Sequence, residues 1–90
     1  MTIYVVYGST GEYPDHEEWP VRAFMEKRKA EWFVLKADER AAEIAERSRR
    51  GRMIMYNSDT GEKSEYDPSL RIDYTGTNYA IWEVELELNL

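Results

Sequence analysis

Ninety residues fit a single domain, and a chain of that length can bury enough apolar surface to fold alone with modest stability. A composition of 42% hydrophobic and 33% charged residues, with 13% aromatic, excludes a disordered segment. There is no cysteine, so disulfides, thiolate nucleophiles and cysteine-held metals or iron–sulfur clusters are excluded, which points to a reducing, cytoplasmic setting.

The start, Met1-Thr2-Ile3-Tyr4, has no basic stretch before an apolar run and reads as no signal peptide. No apolar run approaches the ~20 residues that a membrane span needs. The net charge of −6 is unevenly spread: residues 1–21 carry −4, 22–52 carry +4 and 53–90 carry −6. Two readings follow. Either a helix offsets acidic strands with its cations, or the molecule has one strongly negative surface.

In chain order, residues 2–7 are almost all β-branched or aromatic and apolar on both alternating faces, the pattern of a strand covered on both sides or central in its sheet. Gly8-Ser9-Thr10-Gly11 is expected to break it, followed by a polar loop from Glu12 to Glu18. A second strand is expected from Trp19 to Met25, with Pro20 placing its start at an edge or strand end. From about Glu26 to Arg50 the period changes. Ala30, Phe33, Val34, Ala37, Ala41, Ile44 and Ala45 recur at three- and four-residue steps, which predicts a long amphipathic helix. Arg47, Arg49 and Arg50 suit its negative C-terminal end, and Gly51 suits a left-handed cap.

Met53 to Tyr56 and Glu62 to Tyr66, around Ser58-Asp59-Thr60-Gly61, predict a short hairpin. Asp67-Pro68-Ser69 is a turn, and Asp73 to Thr77 another loop. The closing segment alternates cleanly: Trp82, Val84, Leu86, Leu88 and Leu90 point one way and Glu83, Glu85 and Glu87 the other. The sum is an α+β domain of order β-β-α-β-β-β, a mainly antiparallel sheet with one long helix packed on one face. The glutamates of the last strand predict that the opposite face meets water there.

Little of this carries catalytic chemistry. His16, the only histidine, lies among Asp15, Glu17 and Glu18, but sequential neighbours rarely converge on one ion. Asn57 to Glu62 superficially resembles a calcium loop, yet its glycine falls one place early and Pro68 stands where a bidentate glutamate belongs. Gly8 to Gly11 lacks the lysine and the following helix of a phosphate loop. No serine or threonine has a base beyond that one exposed-loop histidine. The reading is a non-enzyme with no metal and no cofactor.

Two clusters can bind. Tyr13 and Trp19 bracket the first acidic loop, and Tyr66 and Tyr74 flank the second, so Glu12, Tyr13, Asp15, His16, Glu17, Glu18, Trp19, Tyr66, Asp67, Asp73 and Tyr74 form the candidate protein-binding set. Arg47, Arg49, Arg50 and Arg52 form the alternative, a nucleic-acid contact, although the dipole of the helix already accounts for three of them.

Tyr4-Val5-Val6, Gly11-Glu12-Tyr13, Asp15-His16, the strand ending at Ala23-Phe24, Lys29-Ala30 and the closing Trp82-Glu83-Val84-Glu85-Leu86 resemble small uncharacterised proteins of phages and prophages. Pro14 departs from the serine usual there, as does the Tyr-rich stretch from 56 to 79. No functional residue transfers. The resemblance implies a phage accessory protein, of the kind that blocks a host protein or defence complex, as an anti-CRISPR does. An acidic face can occupy a groove built for nucleic acid, because the groove's Lys and Arg attract carboxylates as they do phosphates. The expected partner is a host protein with a basic surface, with no membrane involved. A third expectation is self-assembly into a homodimer through the C-terminal strand, using Leu86, Leu88 and Leu90.

Overall fold

The first strand, apolar on both faces, becomes the centre of the sheet. The computed structural model describes residues 1–14, 16–51, 64–71 and 76–87, without the side chains of 47–51. Its elements are β1 (Thr2–Thr10), β2 (Glu17–Phe24), α1 (Lys27–Gly51) and β3 (Thr77–Glu85). The strand order is β2-β1-β3, and both pairings are antiparallel. The domain is therefore α+β, with one helix laid on one face of the described sheet.

β1 runs through Thr10 rather than stopping at Gly8. The glycine serves a close approach: a Cβ on Gly8 would lie 2.8 Å from the Trp19 ring on the neighbouring strand. The connecting turn shrinks to residues 11–16, with Gly11 at φ 88°. Pro20 sits on an edge strand, where its missing N–H costs no ladder bond. Beside it the register slips, Val6 facing Arg22 and Tyr7 facing Pro20, so Val21 is the extra residue of a bulge.

The helix lies within a residue of its expected bounds. Glu26 begins it, its carbonyl accepting the Ala30 N–H at 3.2 Å. At ~1.5 Å per residue the helix is about 37 Å long, slightly more than the strands beneath it. Ala30, Phe33, Ala37, Ala41, Ile44 and Ala45 are buried with Val6, Leu70 and Tyr79. The alanines let the helix lie close to the sheet, and each large apolar side chain so buried contributes roughly 1.5–3 kcal/mol. Surface pairs Lys29–Glu26, Lys36–Glu39 and Arg40–Glu43 add only a few tenths of a kcal/mol each.

Of the expected hairpin, residues 53–63 lie outside the described ones, and Ser64 to Tyr66 form a bend rather than a strand. The Ser64 hydroxyl accepts the Tyr66 N–H at 3.1 Å, and the Ser64 carbonyl accepts the Asp67 N–H at 3.2 Å. Such local bonds hold the backbone away from a ladder. Thr77, expected in a loop, opens β3.

Opposed residues on paired strands share a face. Val6, Ile81, Gly8 and Tyr79 therefore face the helix, together with Phe24 and Trp19. Glu83 belongs to that same row, and Lys27 of α1 lies 3.6 Å from its carboxylate. This corrects the expectation that the glutamates mark the water-facing side. Alternation separates two faces of a strand without saying which one the helix covers. Here Glu83 pairs with Lys27 at the start of the helix, Glu85 bonds to the Met1 amine and the Thr2 hydroxyl, and Trp82 and Val84 face away from the helix.

Candidate protein-binding surface

Three groups of side chains stand out, and each follows from the strand register. The first is internal. Asp67 is 1% exposed, and its Oδ2 accepts both the Trp19 indole N–H at 2.9 Å and the Tyr79 hydroxyl at 2.6 Å. Its Oδ1 accepts the Ser69 N–H at 3.0 Å, closing the turn expected at Asp67-Pro68-Ser69. Burial beside that carboxylate pushes the Tyr79 phenol far above its ordinary range. The Asp38 carboxylate, on α1, accepts the Tyr79 N–H at 2.9 Å, and burial raises its pKa. Asp67 thus ties the 64–71 segment to β2 and β3. Trp19 and Asp67, expected as partner contacts, are held in this brace, and Tyr66 packs edge-on against Phe33 and Trp32.

The second group is the turn between β1 and β2. Tyr13 is 92% exposed, and Glu12 beside it is exposed as well. His16 Nδ1–H donates to the Gly11 carbonyl at 3.0 Å, and its Nε2 lies 3.6 Å from Glu18. The Gly11 carbonyl, with Glu18 second, raises the pKa of this histidine above its usual 6.5. Glu17 turns to the helix side and pairs with Arg71 at 3.4 Å. The turn therefore gathers Glu12, Tyr13, His16 and Glu18 at one tip. Asp15, Asp73, Tyr74 and Arg52 lie outside the described residues, as do the side chains of Arg47, Arg49 and Arg50.

The third group was not expected as a surface. On the face of the sheet turned from the helix, Tyr7 stacks on Trp82 with ring centroids 4.2 Å apart. Ile3 faces Val84, and Val5 lies between Trp82 and Ala23. Trp82 and Val84 remain 42% and 39% exposed. The signal lay in residues 2–7, which are apolar on both alternating faces.

Among the described residues no three His, Asp or Glu side chains gather as a metal would require. No described helix is long and apolar enough to cross a membrane. The grooves at the helix start, lined by residues 26–29 and Trp32, contain none of the buried polar groups described above. The chain matches no family model, no curated protein and no solved structure.

Proposed function

We propose that this chain is a non-enzymatic protein-binding module that meets a basic partner surface with the acidic tip between β1 and β2. The observation that carries the reading is Tyr13, almost wholly exposed between Glu12 and the His16–Glu18 pair. A rigid aromatic beside carboxylates offers contact area at low rotamer cost, with charge to steer association. The −4 of residues 1–21 adds a long-range field of the same sign. The resemblance to small phage proteins supports a finer version, a phage-encoded inhibitor of a host defence complex whose groove normally holds nucleic acid.

The test compares the wild-type chain with Tyr13→Ala and with the double variant Glu12→Lys, Glu18→Lys. Each tagged protein is used to capture partners from nuclease-treated host lysate, and the enriched partner is then purified and titrated at two salt concentrations. The expected result is binding that weakens with salt and falls at least tenfold in both variants. Equal affinity for wild type and the charge-reversed variant would sink the proposal. Recovery that vanishes with nuclease would move the function to nucleic acid and to Arg47, Arg49, Arg50 and Arg52.

A further inference from the structure

We propose that the sheet face turned away from the helix is the interface of a two-fold homodimer, in which a second copy covers it with the same face. This goes beyond the tip as a binding site and shares only Glu18 with it, at one corner of the face. Four rows of side chains make up the face: Ser9 with Asn78 and Glu18, Tyr7 with Ala80 and Pro20, Val5 with Trp82 and Ala23, and Ile3 with Val84. Three of these rows carry no charge. In an antiparallel sheet the solvated face is ordinarily the polar one, and here it is the apolar one.

Three features select a second copy as the occupant. The Tyr7–Trp82 stack spans the two middle rows, so a two-fold through the centre brings one aromatic pair onto the other, as interface hot spots require. Charge also chooses the packing. Among the described residues of these four rows Glu18 is the one ionised group, and it sits at a corner, on the outer strand β2 of the described sheet. A two-fold perpendicular to the strands sends the two Glu18 side chains to opposite rims; one parallel to the strands would keep them at the same end. Two chains of net charge −6 repel elsewhere, and this nearly uncharged face is where they can approach.

Area sets the strength. Three strands about 4.8 Å apart and about 30 Å long give a face of about 400 Å², hence roughly 800–1,000 Å² for two pleated faces in contact. That lies below the ~1,200–2,000 Å² of stable specific interfaces and in the range of weak, transient ones, so the dimer is a weak one, sought from micromolar to millimolar concentration. This differs from pairing through the β3 edge. Glu83 and Glu85 are exposed on that strand, and charges on an edge discourage strand addition.

The test is the solution mass from about 1 µM to about 1 mM, by sedimentation equilibrium, for wild type, Val84→Glu and Leu35→Glu. Val84 and Leu35 are both exposed, one on the open face and one on the outward side of the helix, so neither substitution removes a core side chain. Circular dichroism confirms the fold of each. The expected result is a rise toward twice the monomer mass in wild type and Leu35→Glu, and a shift of at least tenfold in dissociation constant in Val84→Glu. Because the chain has no cysteine, Val84→Cys adds a single thiol whose maleimide labelling should be fast when dilute and slow when concentrated. A monomer at 1 mM overturns the proposal. So does a dimer lost in Leu35→Glu but kept in Val84→Glu. A thiol protected at every concentration in a monomer overturns it too, by showing that the chain covers its own face. The Tyr13→Ala variant, altered at the turn and outside all four rows, should still dimerise, so failure of the tip proposal leaves this one standing.

Discussion

The two faces of the sheet invert the usual relation between burial and polarity. The helix-covered face contains Thr10, the Trp19 indole, the Tyr79 phenol and, packed against them, the carboxylates of Asp67 and Asp38. The bare face carries Ile3, Val5, Tyr7, Trp82 and Val84, with polar Ser9, Asn78 and Glu18 at one end. These polar groups can lie inside because each has a hydrogen-bond partner, whereas the buried Glu17 Oε2 has only its ion pair with Arg71, and the apolar ones are left outside because no described residue covers them. Stability and recognition are thereby separated: hydrogen bonds specify the interior, and the exterior keeps its apolar surface for contact.

The sharpest way to break the comparison is Asp67→Ala. It orphans the Trp19 N–H and the Tyr79 hydroxyl at once, and the expected loss is about 3 kcal/mol in urea unfolding. Gly8→Ala comes next. The new methyl would press on the Trp19 ring from below, displacing it from Asp67 for a loss of about 1–3 kcal/mol, read in the same assay. Val84→Thr, on the bare face, should change stability by less than ~0.5 kcal/mol when measured at low micromolar concentration. A large loss there would mean the face is covered within the monomer.

The smallest effect is a titration. Proton NMR should place the pKa of His16 above 6.5, because the Gly11 carbonyl and then Glu18 favour the imidazolium. A raised folded-state pKa means this contribution to the turn is complete below the unfolded value and fades as pH rises through the folded one. Glu18→Gln should return the pKa only part of the way, since the Gly11 carbonyl, the largest single cause of the rise, remains.

Much of this fold was legible. The three- and four-residue spacing of Ala30, Phe33, Ala37, Ala41 and Ile44 names the buried stripe of the helix, and these residues are its core. Pro20 marks an edge strand, and β2 lies at the edge of the described sheet. The failures share a cause. Gly8 resembles a strand breaker unless the indole on the next strand is known, and the Val84–Glu83 alternation is symmetric until the helix is placed. Asp67 resembles any turn aspartate; its burial depends on Trp19 and Tyr79, 48 and 12 positions away. Of the expected binding set, the exposed positions of Glu12, Tyr13, His16 and Glu18 were legible from composition, because a short polar turn lies at the surface, whereas Glu17 turns to the helix side and pairs with Arg71. Trp19 and Asp67 were not, because an internal hydrogen bond leaves no mark on local pattern.

The central place of β1 also bears on synthesis. β1 is the first of these strands to leave the ribosome and β3 the last, and Thr10 bonds to Gly76, 66 positions later. At roughly 5–20 residues per second, several seconds pass before β3 can pair with β1, and among the described residues β2, the helix and the 64–71 segment precede it. Throughout that interval one edge of an unusually apolar strand is unpaired. A nascent chain stalled before β3 would present that edge to chaperones and to its neighbours on the polysome, and release of the last strand, rather than of the helix, is the step that closes the domain.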